Sequence, residues 1–334
     1  MKIKAVVAVG QGGPEVLKLQ DIELNWPSGD LDVLVELTAA SLNPADIFFR
    51  QLGGYVVSGK PFVLGHDGAG VVREIGRLVT TVRVGERVCF CNGGIGDDLG
   101  TYAEAAVVPE WQLARIPAEV DDLTAAALPL VGITAWEAMY DRAQLALGEF
   151  VLIHAGAGGT GHMAVQLAVL RDAKVATTVS SEAKAKLVKE LGAELAINYR
   201  QKDFVEAARN WSKGGVNVAL DNVSAEVMQR TFQVMTPYGR IITLMGIPGD
   251  DRELTAYNMN LTIHSVMMLT PMWKKLDDRL SQQAEIVRKL LAFVAERKVK
   301  VRHAATFPLV QAGNAQSLLE SGKAIGKVTL QIRS

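Results

Sequence analysis

From Phe150 onward the apolar residues of this chain come in blocks rather than singly. "FVLIHA", "KVATTV", "ELAINY", "VNVALD" and "GRIITLMG" are short buried-strand runs, and between them lie helical stretches such as "GTGHMAVQLAVLRD", "SEAKAKLVKELG", "KDFVEAARNW" and "AEVMQRTFQVM". Strands alternating with helices of about 10 to 14 residues predict a parallel, doubly wound sheet covered on both faces, since parallel neighbours can be joined only by a crossover. Up to about residue 125 the rhythm is different. "KAVVAV", "VLKLQDIEL", "DVLVELTAAS", "GAGVVREIG", "RVCFC" and "TYAEAAVV" are short, alternating and punctuated by Gly, Pro, Asn or Asp, which predicts a β-rich, barrel-like domain. A last stretch carries a polar-charged helix over 277–296, a strand near "RHAATF" and the closing "GKVTLQI". No internal repeat or low-complexity linker interrupts the chain.

The sharpest local motif sits where the first of the later strands meets its helix. Gly156, Gly158 and Gly161 form GxGxxG, a weak pattern alone that gains weight from its strand–turn–helix setting. A tight turn there brings backbone N–H groups and a helix N-terminus onto a pyrophosphate, so Gly156, Ala157, Gly158, Gly159, Thr160 and Gly161 are candidate cofactor contacts. A carboxylate at the end of the next strand would bind the ribose hydroxyls of NAD and repel a 2′-phosphate. The chain has Val179, Ser180 and Ser181 there, with Lys184 close by, which favours NADPH. Glu182 argues mildly the other way, and Lys184 is also readable as a solvated helix residue. Methyltransferases share a similar sheet and glycine turn, but they usually carry the turn near the start of the catalytic fold and an acidic residue after the second strand, neither of which is present.

The 334 residues suggest two domains, and 49% apolar with 21% charged residues is globular composition. A net charge of −1 with no basic stripe argues against nucleic acid as a partner. The longest apolar stretch, "AAALPLVGITAW", is broken by Pro129 and Gly132 and falls short of the roughly 20 residues that span a bilayer. "MKIKAVVAVGQGG" has too short an apolar patch for a secretory leader and reads as a first strand. Cys89 and Cys91 share one strand face, too close in sequence for an unstrained bridge, so two reduced thiols and a cytoplasmic location are expected.

"LGHDGAGVV", "VRVGERV", "PLVGITAWEAM", "GAGGTGHMAVQLA", "KVATTVSSEAKAKLVKELGAELAINYRQKDF" and the terminal "GKVTL" resemble the medium-chain dehydrogenase/reductases, and within them the zinc-free quinone oxidoreductase, or zeta-crystallin-like, branch. The resemblance runs nearly end to end. It implies a GroES-like catalytic domain over 1–128, a Rossmann domain over 129–268, and a return segment over 269–334 that completes the catalytic domain. It also implies an NADPH-dependent reductase of quinones or α,β-unsaturated carbonyls, assembled as a homodimer. A low-turnover NADPH-binding protein and a zinc alcohol dehydrogenase are the alternatives.

Zinc-dependent relatives supply a Cys, a His and a second Cys to the catalytic metal. The matching positions here are Asn43, His66 and about Leu130, and one histidine is too few for a site that needs three protein ligands at about 2 Å. No metal is therefore expected, and His66 remains as a polar contact, a proton relay or a turn residue. On the resemblance, "NPADIFFR" puts Asn43, Asp46 and Arg50 at the catalytic cleft, Asn43 to orient a carbonyl or carboxamide and Arg50 to stabilise an enolate or steady the loop. A helix start is the other reading of "NPAD". The family often has a tyrosine where this chain has Phe48, which leaves the proton donor open, and water can serve. Thr134 matches the residue that approaches the nicotinamide, with helix capping as its other reading. Tyr199 matches the adenosine end, Asn222 and Gly246 lie at strand carboxyl ends, and Leu269, Thr270 and Lys327 match the nicotinamide-side loop and closing strand. His154, His162, His264 and His303 have no assignable partners and are expected to be surface or core residues.

Overall fold

The computed structural model describes residues 1–52, 62–95, 98–246 and 253–333. It divides into two compact units, one formed by Met1–Leu130 with Leu269–Ser334 and one by Val131–Met268.

The second unit is built on a six-stranded parallel sheet in the order Leu195–Asn198, Lys174–Val179, Phe150–Ile153, Val216–Asp221, Met235–Thr243, Thr262–Ser265. Numbered along the chain this order is 3-2-1-4-5-6, so the winding reverses between Phe150–Ile153 and Val216–Asp221, where ligands sit at strand carboxyl ends in such sheets. The strands Lys174–Val179, Phe150–Ile153 and Val216–Asp221 are buried almost throughout because helices cover them, whereas the edge strands Leu195–Asn198 and Thr262–Ser265 are partly exposed, and Leu152, Ala176, Ala219, Ile241, Phe204 and Met228 belong to one core. Side-chain caps start the helices where turn residues allow it. Ser181 accepts from Lys184 N, Asp203 from Val205 N and Glu206 N, and Ser224 from Val227 N, each contact being worth roughly 0.5–2 kcal/mol. The helix Gly159–Val169 differs: its N-cap is Gly158, with no side-chain cap.

In the first unit the strand Asp32–Ser41 is the centre of a seven-stranded sheet. It pairs antiparallel with Asp67–Ile75, with Ala105–Pro109 and with the C-terminal strand Lys327–Gln331. Beyond these the sheet continues through Arg87–Cys91 to Ala114–Arg115 on one side and to His303–Pro308 on the other. Val33, Val35, Leu37, Val72, Val88, Phe90 and Val108 form its core. A separate three-stranded sheet joins Leu17–Glu23, Lys2–Ala8 and Phe62–Val63. The pairing of Thr329 with Ser41 closes the long excursion through the second unit.

Candidate active site

The glycine turn is shaped by steric necessity. A Cβ on Gly156 would lie 2.0 Å from Thr177 Oγ1, and one on Gly161 would lie 2.2 Å from the carbonyl oxygen of Ala155. Strand and helix therefore pack at backbone contact. Gly158 is different, since among the described residues a Cβ there would meet only Ala155 O, at 3.3 Å, so packing within the protein constrains it least of the three. Gly159 and Thr160 open the uncapped helix beside it, while Ala157 is buried. This uncapped helix end fits a pyrophosphate.

A cavity of about 580 Å³ is lined by His154, Thr178, Tyr199, Arg200, Phe204 and Val223 among others, and so includes Tyr199, which the resemblance matches to the adenosine end. Ser181 caps the next helix, and half-exposed Ser180 precedes it. Lys184 has its ammonium pKa lowered by burial and by the nearby Arg200 guanidinium. The charge of Arg200 is thus felt at Lys184, near the end of the second strand, whose last residue is Val179. Arg200 was not singled out in the sequence, although it follows Tyr199 directly in "INYRQK". His154 bonds Thr231 Oγ1 at 2.9 Å and Thr178 Oγ1 at 3.3 Å, with Phe204 edge-on at 4.9 Å. Burial, reinforced by Arg230, lowers its pKa to about 3. At the ends of the next strands, Asn222 Oδ1 is buried with no hydrogen-bond partner among the described residues, and Gly246 takes φ +88°. Thr134 is nearly buried in the helix Pro129–Trp136.

The first unit gathers Asn43, Asp46, His66 and Lys327 around Asp67. Asp67 Oδ2 accepts from Ser41 Oγ at 2.9 Å and Asn43 Nδ2 at 2.8 Å, and its Oδ1 accepts from Leu130 N at 2.8 Å. Lys327 Nζ stands 3.5 Å from Asp67 Oδ2 and donates to Asn43 Oδ1 at 2.6 Å and Leu42 O at 2.8 Å. The resemblance set Lys327 beside the cofactor. Here it is only 2% exposed, and its ammonium is engaged inside the protein as the counter-charge of Asp67. Burial lowers its pKa while Asp67 and Asp46 oppose that shift. Asn43, expected to orient a substrate carbonyl, has both ends of its amide bonded internally.

Asp46 Oδ2 accepts from Asn43 N at 2.8 Å and Tyr102 OH at 3.0 Å. Its Oδ1 faces His66 Nε2 at 3.7 Å, and neither atom has a hydrogen-bond partner among the described residues. Burial raises the Asp46 pKa, against the opposing effect of His66. The other ring nitrogen of His66 lies 2.7 Å from Gly93 O. Arg50 is turned away from this cluster: Nε donates to Gly12 O, Nη1 to Gln316 Oε1 at 2.5 Å and Nη2 to Glu320 Oε1 at 2.6 Å. It clamps the helix Pro44–Leu52 to the helix Ala312–Glu320 and is buried in doing so. Leu269 is buried, and Thr270, exposed, begins a short helix. Cys89 and Cys91 are free, and burial pushes both thiols up.

Of the three positions that the resemblance matches to zinc ligands, Asn43 and Leu130 both bond Asp67, while His66, next to it in sequence, lies against Gly93 O and Asp46. Among the described residues no three His, Cys, Asp or Glu side chains are placed to hold a metal ion.

Two family models match the chain, the alcohol dehydrogenase GroES-like domain over residues 29–118 and the zinc-binding dehydrogenase over 159–282. A 2-haloacrylate reductase of Burkholderia sp is 31% identical over 335 residues, covering 98% of each chain. The chain belongs to the medium-chain dehydrogenase/reductase family. Among solved structures of this family, the quinone oxidoreductase from Coxiella burnetii superposes with a TM-score of 0.87 at 31% identity over the whole of both chains. A NAD-dependent alcohol dehydrogenase gives 0.88 at 30%, over 99% of this chain and 100% of the other. The protein is an oxidoreductase that uses a nicotinamide cofactor and a small-molecule substrate. The zinc-binding dehydrogenase match covers a segment with no cysteine in it. No helix among the described residues is long and apolar enough to cross a membrane.

Proposed function

We propose that this protein is an NADPH-dependent reductase that delivers hydride to quinones or α,β-unsaturated carbonyls without zinc and acts as a cytoplasmic homodimer. The observation that carries the cofactor choice is the pair Lys184 and Arg200 beside Ser180 and Ser181, at a strand end with no carboxylate to repel a 2′-phosphate. The glycine turn supports the pyrophosphate, and the cavity around Tyr199 and Thr178 supports the adenosine. Thr134, Asn222, Gly246, Leu269 and Thr270 are the residues proposed toward the nicotinamide. When bound, that ring supplies the hydride. Hydride addition to a conjugated acceptor leaves charge on its oxygen, and a proton from water completes the reduction.

The metal-free reading is supported by the polar cluster itself. Positive charge near Asn43 comes from Lys327, within hydrogen-bonding distance of the amide oxygen. In this reading Asn43, Asp46 and Lys327 hold the architecture, and Arg50 fixes its helix. The homodimer rests on the family resemblance and is checked by light scattering after gel filtration.

Fluorescence titration of both nucleotides tests the cofactor. NADPH should bind at least ten-fold more tightly than NADH, and Lys184→Ala with Arg200→Ala should erase the difference by weakening NADPH alone. Equal weakening of both nucleotides would sink the assignment. Oxidation of NADPH with a panel of quinones and enones tests the reaction; binding without oxidation by any acceptor would leave a nucleotide-binding protein instead.

A further inference from the structure

We propose that His162 is a positioning residue for the nucleotide: its ring anchors the Gly158 carbonyl and so aims the Gly159 N–H at the pyrophosphate. This rests on the reading that the glycine turn meets a pyrophosphate. His162 is fully buried in the helix Gly159–Val169, one residue after the last motif glycine. Gly158 is the N-cap of that helix, and it brings no side chain to hold the cap's geometry. His162 supplies the missing hold from within the helix. Its Nδ1 lies 2.9 Å from Gly158 O, and its backbone N donates to the same oxygen at 3.0 Å. A carbonyl can only accept, so Nδ1 carries a proton in this contact. In a planar trans peptide the C=O of Gly158 and the N–H of Gly159 point in opposite directions. Two donors on the carbonyl therefore fix that N–H outward past the helix end, where an anion binds.

The start of the turn is held in the same way. Ala155 takes φ +49°, a left-handed conformation that is costly for a residue with a Cβ. Its N–H donates to Thr178 Oγ1 at 3.0 Å, and that hydroxyl is oriented by His154. Thr231 Oγ1 donates to Val227 O at 2.8 Å, so it accepts from His154 Nε2 at 2.9 Å. Burial keeps the ring neutral, with its one proton on Nε2, so Nδ1 accepts from Thr178 Oγ1 at 3.3 Å. The hydroxyl thus spends its proton on the ring and keeps a lone pair for Ala155. Gly156 and Ala157 lie between two anchored peptides, and the turn is formed before any ligand arrives. Such preorganisation raises affinity without adding a contact to the ligand. Loss of the His162 hold should be felt only by ligands that reach the turn.

Isothermal titration of the full-length protein tests this with two ligand pairs, ADP-ribose 2′-phosphate against adenosine 2′-phosphate and ADP-ribose against adenosine. In each pair only the first carries the pyrophosphate, and running both pairs removes the cofactor choice from the outcome. His162→Leu and His162→Phe remove the ring donor, while His162→Asn keeps an amide donor for Gly158 O. The two apolar variants should bind the pyrophosphate ligands roughly three- to ten-fold more weakly, the scale of one hydrogen bond. They should hold the two adenosine ligands within about two-fold of wild type, and His162→Asn should restore most of the loss. If the apolar variants weaken all four ligands alike, weaken none or do not fold, or if His162→Asn restores nothing, the positioning role is overturned, while the wild-type difference within each pair still carries the pyrophosphate reading. If the wild type binds the pyrophosphate ligands no more tightly than their adenosine partners, the turn meets no pyrophosphate, and that reading fails together with the proposal.

Discussion

Gly158 and Gly161 are three residues apart in one motif, yet a methyl group has different consequences at each. At Gly161 it would drive into the Ala155 carbonyl, a backbone atom that cannot yield without moving the turn. Gly161→Ala should therefore lower stability by about 1–3 kcal/mol and weaken NADPH binding together, read by urea melts and fluorescence titration. Gly158→Ala should cost less stability than Gly161→Ala, because its methyl would meet Ala155 O at 3.3 Å rather than 2.2 Å, while weakening binding at least ten-fold. His154 gives a pH prediction. Its pKa, about 3 in the folded protein against 6.5 in the unfolded chain, means that only the unfolded chain takes up a proton as pH falls below 6.5. Stability from this group is thus full above pH 6.5 and is lost progressively toward pH 3. His154→Gln should flatten that acid limb by a few kcal/mol in melts taken from pH 7 to 4. The motif glycines were legible in the sequence because their spacing is local. His154 was not, since Thr178 and Thr231, its partners, lie 24 and 77 residues away.

At the scale of elements, Asp67 ties the strand Asp67–Ile75 to the end of Asp32–Ser41, to the helix start at Leu130 and to the C-terminal strand. Removing one member of a buried ion pair strands the other, at a cost of about 3–5 kcal/mol. Lys327→Met should lower stability on that scale, and Asp67→Asn in the same chain should restore part of it, giving a clearly non-additive cycle in urea denaturation. Additive losses would mean that the two charges do not depend on each other. The sequence reading took "GHDGAG" for a turn, whereas Asp67–Gly70 already belong to the strand Asp67–Ile75, and it read "GKVTL" as a closing strand, which Lys327–Gln331 is. What joins them was hidden, because the residues that meet at Asp67 come from segments as far apart as Ser41 and Lys327. The reverse holds for Arg50: "NPADIFFR" was legible as a helix start, but its guanidinium partners, 266 and 270 residues further on, were not.

Over the whole molecule, the change of rhythm after residue 125 was legible because a buried parallel strand and an alternating antiparallel one differ in composition at every position. The strand order 3-2-1-4-5-6 was not, since nothing local says which strands become neighbours. The scarcity of cysteine, by contrast, is a whole-chain property and yields a direct prediction. Incubation with EDTA or dipicolinate, followed by gel filtration, should leave kcat/KM unchanged, with less than about 0.1 zinc per chain by elemental analysis; a stoichiometric metal would require ligands outside the described residues. The C-terminal strand adds a constraint of a different kind. Lys327 bonds Leu42 across 285 residues of chain, and Thr329 completes the edge beside Ser41. During synthesis the second unit, made from one unbroken stretch, has all its strands once Ser265 has left the ribosome. The first unit must wait for Lys327–Gln331 to cover Ala39–Ser41 of its central strand, whose Asp32–Glu36 half is already paired with Ala105–Pro109. A nascent chain stalled before Lys327 would leave Ala39–Ser41 unpaired on that side and open to other chains, so the need for a chaperone outlasts the assembly of the second unit's sheet.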